Sequence, residues 1–300
     1  MKKVIVKNNV IPKLKRFFPW VYRNELKKIP KNVKSGELIS IFSSDGKFLG
    51  IGYINLNSVI TVRVLSFNKE KIDIDFFKRR IVKALEKRNN LKNITNGYRI
   101  IHSEADFLPG LIVDFYDNYL SIQINTAGME NFRQEILSVL IDLIKPKGIY
   151  EKSDKKSREK EGLKTEEKTI YGSIPNEIII YENNLRFVVD LTDSQKTGFY
   201  LDQRKNRMIV SNYSEGKILD LFSNSGGFGI YSYHKGADFV KFVDISPNAI
   251  KHLKRNCEIN KIKKNYSIVK EDVFDFLKRE EEKGEKYDLI IIDRSIFPCP

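Results

Sequence analysis

The 300-residue sequence predicts an α/β chain in three regions: a basic β-rich amino-terminal region, a small central α+β region, and a parallel sheet wound with helices at the carboxyl end. Three observations carry this expectation. The apolar stretches "GELISIF" and "FLGIGYINL" are separated by Asp45-Gly46, whose glycine permits the positive φ of a tight hairpin turn. A helical pattern from Lys71 is followed by short strands around Asp117-Asn118. From Asp193 onward, strand, glycine turn, helix and strand alternate, which builds a parallel sheet with helices on its faces. The expected boundaries are 1–68, 69–192 and 193–300.

Composition narrows the partners. With 53 Lys and Arg against 39 Asp and Glu, the formal charge of +14 calls for an acidic partner, and RNA, DNA and an anionic membrane surface are the physical candidates. No apolar run reaches about 18 residues, and "MKKVIVKNNVIPKLKRFF" is too interrupted for a secretory signal, so a cytoplasmic chain with no membrane partner is expected. Two cysteines, Cys257 and Cys299, make neither a disulfide framework nor a zinc site alone, and no metal is expected.

In the first region, "PKLKRFFPWVYRNELKKIPKNVKSG" sets eight Lys or Arg against the single acid Glu25, with Phe17, Phe18, Trp20 and Tyr22 interleaved. Cations beside aromatics suit a surface that grips phosphates and stacks on bases, which makes Lys13, Lys15, Arg16, Trp20, Arg23, Lys27 and Lys28 the RNA-binding candidates. For Trp20 the alternative is core packing of a small β-domain. The "SVITVRVLSF" stretch supplies a further strand.

The central region opens with "KIDIDFFKRRIVKALEKRNNL", where Phe76, Ile81, Ala84 and Leu85 recur at helical spacing. Strands follow in "YRIIHSEAD" and "GLIVDFYDNYLSIQI", then the helix "MENFRQEILSVLIDLIK" and the strands "GIYEKSD" and "IIIYENNLRFVVDL". The mixed-charge stretch "EKSDKKSREKEGLKTEEKT" reads as a solvated connector.

Chemistry concentrates at the carboxyl ends of the last strands, where ligands of open α/β sheets bind. The strand ending in "LDLF" carries Asp220 and leads through Phe222, Ser223, Asn224, Ser225, Gly226 and Gly227 into a helix starting near Phe228. Glycines there let a ligand approach the backbone at a helix N-terminus. The turn lacks G-x-G-x-x-G, which disfavours a dinucleotide pyrophosphate and with it a nicotinamide dehydrogenase. The next strand delivers Asp244, with Ile245 and Ser246, about twenty residues on, where a carboxylate can accept both ribose hydroxyls. A third brings Asp272, placed to accept from an adenine amine, with Val273 and Phe274 as apolar contacts; a fourth, "YDLIIID", ends in Asp293. Singly, each Asp is also a reasonable helix N-cap.

The order of these strand tips resembles that of class I S-adenosylmethionine (SAM)-dependent methyltransferases, with "LDLFSNSGGFG" similar to the glycine motif and Asp293 to the strand-four acid. "SQKTGFYLDQRKNR", "HSEADFLPGLIVDFY", "YEKSD" and "PWVYRNEL" resemble the large-subunit ribosomal RNA cytosine-5 methyltransferases. The resemblance implies an amino-terminal PUA-like β-barrel, a central α+β domain and a Rossmann-like catalytic domain, with SAM as cofactor and ribosomal RNA as partner; a homodimer is compatible with it. It further implies that Lys196, Thr197, Phe199, Tyr200 and Gln203 neighbour the cofactor, with Arg204 structural or RNA-facing.

Cytosine C5 is a poor nucleophile, so its methylation needs a thiolate to add at C6. Cys257 falls on one helical face with Ile250 and Leu253 and reads as core. Cys299, six residues beyond Asp293, is the remaining candidate. The family pattern D-P-P-x-F stands here as Asp293-Arg294-Ser295-Ile296-Phe297, without the two prolines, and the family's later nucleophile strand has no counterpart in this sequence. An incomplete sheet, a shortened product of a longer enzyme, and a non-catalytic RNA-binding protein with a SAM-type pocket are therefore further expectations.

Overall fold

The computed structural model describes residues 1–165, 167–192 and 198–293, so Lys196, Thr197 and Cys299 lie outside the described residues. The chain divides into two compact units, Met1–Lys92 with Tyr98–Ile174, and Asn93–Gly97 with Pro175–Pro300.

The first unit begins with β1 (Lys2–Val6), α1 (Ile11–Lys15), β2 (Trp20–Val21), β3 (Leu26–Lys28), β4 (Glu37–Phe42), β5 (Phe48–Ile54) and β6 (Val62–Ser66), and the sheet order is β2-β6-β5-β4-β1-β3. Gly46 makes the β4–β5 turn with φ of +83°. Alternate residues Val4, Val6, Ile39 and Ile41 point into one core, the period-two pattern of a half-buried strand.

A second sheet follows in the same unit: α2 (Ile74–Glu86), β7 (Gly97–His102), β8 (Leu111–Tyr116), β9 (Tyr119–Ile124), α3 (Ala127–Glu130), α4 (Arg133–Ile144), β10 (Gly148–Lys152), α5 (Lys155–Glu161) and β11 (Glu167–Gly172), ordered β11-β10-β9-β8-β7. The Asp73 carboxylate caps α2 by accepting the Phe76 N–H at 3.2 Å, and Phe76, Ile81 and Ala84 form its buried stripe. Asp117 and Asn118 both take positive φ, the geometry that joins β8 to β9 by a two-residue turn. Ile51, Tyr53 and Leu65 from the first sheet share one core with Phe76, Phe77 and Ile122, so the two sheets are packed as one body.

The connector expected at "EKSDKKSREKEGLKTEEKT" is corrected here, because α5 lies within it. Asp154 caps that helix by accepting the Ser157 N–H at 2.7 Å. Its Arg158 and Glu161 are buried. Arg158 pairs with Glu130 at 2.8 Å, while Glu161 accepts from Asn55 at 2.7 Å and from Arg63 at 2.9 Å. Hydropathy reads such residues as solvated, yet paired charges can be buried.

The second unit comprises the hairpin β12 (Ile178–Glu182) and β13 (Leu185–Val189), then α6 (Arg204–Ser211), β14 (Lys217–Leu221), α7 (Gly227–Lys235), β15 (Phe239–Asp244), α8 (Pro247–Ile259), β16 (Tyr266–Lys270), α9 (Val273–Glu282) and β17 (Leu289–Ile292). Strands β14 to β17 form one parallel sheet in the order β16-β15-β14-β17, as the strand–helix alternation predicts. At its edge, β17 leaves Ile290 and Ile292 48% and 67% exposed. Among the described residues no helix is long and apolar enough to cross a membrane.

Candidate active site at the carboxyl ends of the parallel sheet

Register brings the candidate residues together. Leu221 of β14 is paired with Val243 of β15, and Asp244 with Lys270 of β16, so the glycine turn, Asp244 and the start of α9 leave neighbouring strands at one end of the sheet. Between Leu221 and α7 the chain alternates into the left-handed region at Phe222, Asn224 and Gly226, with φ of +53°, +48° and +82°. A Cβ at Gly226 would lie 2.2 Å from Leu253 Cδ1 and one at Gly227 2.9 Å from Arg207 Cδ, so close packing requires glycine at both.

Asp244 is buried, and its orientation is fixed from both sides. The Asn224 N–H donates to Oδ2 and the Ser246 N–H to Oδ1, each at 2.8 Å. Each carboxylate oxygen keeps further lone-pair capacity, so a vicinal diol can still be accepted. Ser246 also caps α8 by accepting the Ala249 N–H at 3.4 Å, and Ile245 is exposed. Asp272 is the N-cap of α9, accepting from Phe274 N–H at 2.8 Å and Asp275 N–H at 3.4 Å. Val273 packs in the core with Leu219, Leu221 and Phe276, which leaves Phe274, 55% exposed, as the outward ring; it meets Phe222 edge-on at 6.3 Å.

Asp220 is buried inside this end of the sheet and accepts the Gly229 N–H at 2.9 Å. Burial above all, and then the charges of Asp293 and Asp244, push its carboxyl up to about 7 against the opposing Gly229 hydrogen bond. Asp293 shares a narrow cavity of about 30 Å³ with Asp220, Ser223 and Phe199. Ser223 Oγ is buried there with no hydrogen-bond partner among the described residues, which marks a polar atom awaiting one. A second cavity of about 200 Å³ adjoins the same turn, lined by Tyr200, Asn224, Ser225, Ser246, Asn248 and His252.

Several residues that build this site were missed in the sequence. The side chains of Arg207 and Glu182 are 2% and 1% exposed and joined by two hydrogen bonds of 2.9 and 2.8 Å. Arg207 also donates to the Tyr200 carbonyl at 3.1 Å and lies 4.7 Å from the centre of the Phe199 ring, so it ties the segment carrying both residues to the glycine turn. Tyr231 donates its hydroxyl to Glu182 at 3.0 Å. From α8, the Asn256 side chain holds the turn by donating from Nδ2 to the Ser225 carbonyl at 2.8 Å, while its Oδ1 accepts the Val188 N–H at 2.7 Å. Gln203 accepts from Asn206 at 2.7 Å beside this segment.

Cys257 is buried on α8, and burial pushes its thiol up to about 12, far from the thiolate a nucleophile needs. No cluster of His, Cys, Asp and Glu among the described residues could hold a metal ion. In the first unit, Lys15, Arg16, Arg23, Lys27 and Lys28 are exposed. Lys13 pairs with Glu25 at 2.6 Å and lies over the rings of Phe18 and Tyr22, and half-buried Trp20 donates its indole N–H to Glu104 at 2.8 Å.

Comparison with known proteins agrees with this geometry. Residues 4–67 match the PUA-like domain family, and residues 204–294 match the family described as conserved hypothetical protein 95. A ribosomal RNA large subunit methyltransferase I from Aeromonas salmonicida is 41% identical over 290 residues, covering 95% of this chain and 73% of that protein. The protein of the same name from Aeromonas hydrophila is 40% identical over 291 residues with the same coverage. The crystal structure of SMU.776 in complex with SAH superposes with a TM-score of 0.86 at 25% identity, covering 98% of this chain and 76% of its own. On sequence identity across nearly its whole length, together with the strand-tip geometry, the chain belongs to the ribosomal RNA large subunit methyltransferase I family.

Proposed function

We propose that this chain binds SAM at the carboxyl ends of β14, β15 and β16 and methylates C5 of a cytosine in large-subunit ribosomal RNA. The observation that carries the reading is the pairing of strands that sets the glycine turn beside Asp244, whose carboxylate is held by two backbone N–H groups yet retains acceptor capacity. The residues suit an adenosyl group. Asp244 would accept the ribose hydroxyls, Phe274 would lie against the ring with Asp272 near its amine, and the unpartnered Ser223 Oγ would meet a polar group of the ligand. Phe199, Tyr200 and Gln203 would flank it, with Lys196 and Thr197 of the same segment. SAM supplies an electrophilic methyl group.

The protein's remaining task is to make cytosine C5 electron-rich, which a thiolate does by adding at C6. Cys299 is proposed as a candidate nucleophile and Asp293 as the acid facing cofactor and base; Cys257, buried with its thiol pushed up to about 12, does not suit the role. The exposed cations Lys15, Arg16, Arg23, Lys27 and Lys28, with Lys13 and Trp20, would contact the RNA backbone. Self-association into a homodimer is a separate proposal that light scattering reads directly.

Incubation with methyl-labelled SAM and unmodified large-subunit ribosomal RNA, followed by digestion to nucleosides, tests the reading. Label in 5-methylcytidine that disappears on Cys299→Ser supports it; label in any other nucleoside refutes the C5 assignment. The inert Cys257 thiol favours one second reading, an RNA-binding protein that holds SAM without transfer, and SAM binding with no label incorporated would establish that instead.

A further inference from the structure

A cavity of about 650 Å³ lies away from the glycine turn, lined among others by Asn183, Arg186, Tyr231, Lys235, Asn260 and Lys261. Its position follows from topology. Lys235 ends α7 just before β15, and Lys261 follows α8 just before β16, so both stand at the amino ends of strands whose carboxyl ends carry the candidate site. Strands of five or six residues put roughly 15–20 Å between the two ends.

Arg186 is fastened to the same place. Its N–H donates to Asn260 Oδ1 at 2.9 Å and its carbonyl accepts from Asn260 Nδ2 at 2.6 Å. Lys263 and Lys264 continue the turn after Lys261, and all five cations are exposed. None of the five forms an ion pair among the described residues, whereas Lys217 and Lys241 of this sheet are paired with Glu285 and Glu280. Of the acids close to them in sequence, Glu258 is engaged by Arg255 at 3.3 Å, and Asp238 pairs with none of the five among the described residues. Cations are favoured at helix C-termini, which accounts for Lys235 and Lys261 but not for Arg186, Lys263 or Lys264. Tyr233 and His234, whose rings meet at 5.7 Å, border the cluster and add stacking surface.

We infer that this edge of the second unit, formed by Arg186, Lys235, Lys261, Lys263 and Lys264, is a docking surface for the phosphate backbone of RNA flanking the nucleotide presented at the opposite end of the sheet. The inference rests on the proposed RNA methyltransferase reading. Phosphate fits the chemistry: five exposed cations with no ion pair among the described residues, beside asparagine and tyrosine groups, would grip a backbone without reading its sequence. Each phosphate neutralised contributes about 0.7 to the slope of log affinity against log salt for a single strand and about 0.9 for a duplex.

The test compares the wild-type chain, a variant with all five changed to Gln, and a control in which the exposed Lys47, Lys69, Lys83, Lys145 and Lys147 of the first unit are changed to Gln. Binding of a large-subunit ribosomal RNA fragment is measured across a salt series, with SAM calorimetry and thermal unfolding as checks on the fold. The expected result is a slope shallower by roughly 3.5–4.5 for the five-site variant if each cation meets one phosphate, a smaller change for the control, and unaltered SAM affinity. Equal slope changes in the two variants, or no change in either, overturn the inference while leaving the methyltransferase reading standing. Failure of the wild-type chain to bind RNA or SAM overturns both. A variant that unfolds is replaced by Lys263→Gln with Lys264→Gln, for which a slope shallower by about 1.4–1.8 is expected and an unchanged slope counts against the surface.

Discussion

Replacing Arg207 with Met removes both hydrogen bonds to Glu182 and leaves that carboxylate, its side chain 1% exposed, with the Tyr231 hydroxyl as its remaining side-chain donor among the described residues. Breaking a buried pair by deleting one partner costs about 3–5 kcal/mol, because the other charge stays buried without compensation. For a unit of this size each kcal/mol moves the unfolding midpoint by roughly 3–5 °C, so its transition is expected to fall by roughly 9–25 °C in scanning calorimetry. A double variant, Glu182→Met with Arg207→Met, removes both charges and should recover at least about 2 kcal/mol, since apolar replacement of a buried pair is often neutral. It would not restore the hydrogen bond to the Tyr200 carbonyl or the cation over Phe199. SAM affinity in the double variant is therefore expected to stay at least several-fold below wild type. A single variant within about 0.5 kcal/mol of wild type would refute the buried-pair argument, and a double variant with full SAM affinity would refute the positioning role of Arg207.

Asp220 gives a pH signature. Its carboxyl is raised to about 7 in the folded chain from 3.8, so the folded state binds more protons between those values and stability falls as pH rises through that window, by a few kcal/mol in all. Asp220→Asn keeps an acceptor for the Gly229 N–H and should flatten the fall, seen as a stability gain at pH 8 but little at pH 4 in denaturant titrations; a gain equal at both refutes the assignment. Gly226→Ala forces a side chain into φ of +82° and against Leu253, at a cost of about 2–4 kcal/mol, and a denaturation midpoint equal to wild type would contradict the geometry. Cys257→Ala should lower stability by about 1–2 kcal/mol yet leave methyl transfer per folded molecule unchanged; abolished transfer would place the nucleophile on α8 after all.

What could be read in the sequence was local in origin. Asp45-Gly46 and Asp117-Asn118 announce turns through residues that tolerate positive φ, and Phe76, Ile81 and Ala84 announce a helix through spacing. The strand tips at Gly226, Asp244 and Asp272 were legible because a buried strand followed by a capping Asp leaves a mark within ten residues. Long-range pairing leaves none. Arg207 and Glu182 lie 25 positions apart, and Asn256 reaches Val188 across 68, so neither periodicity nor composition links them. The "EKSDKKSREKEGL" stretch looked solvated because hydropathy scores Arg158 and Glu161 by type, while their burial depends on Glu130, Asn55 and Arg63 elsewhere in the chain. Asp272 likewise had two readings, and the N-cap hydrogen bonds to Phe274 and Asp275 establish one of them without consuming all of its acceptor capacity.

Calorimetric titration of SAM into the wild-type chain and into Asp244→Asn tests the adenosyl pocket most directly. Asn preserves the side-chain shape but removes the charge and one acceptor, and a hydrogen bond to a charged group contributes about 1.5–3 kcal/mol, so affinity should fall roughly 10- to 150-fold with the variant still folded. Wild-type and variant affinities that cannot be told apart, or no heat of binding from the wild-type chain, would contradict the placement of the cofactor at these strand ends.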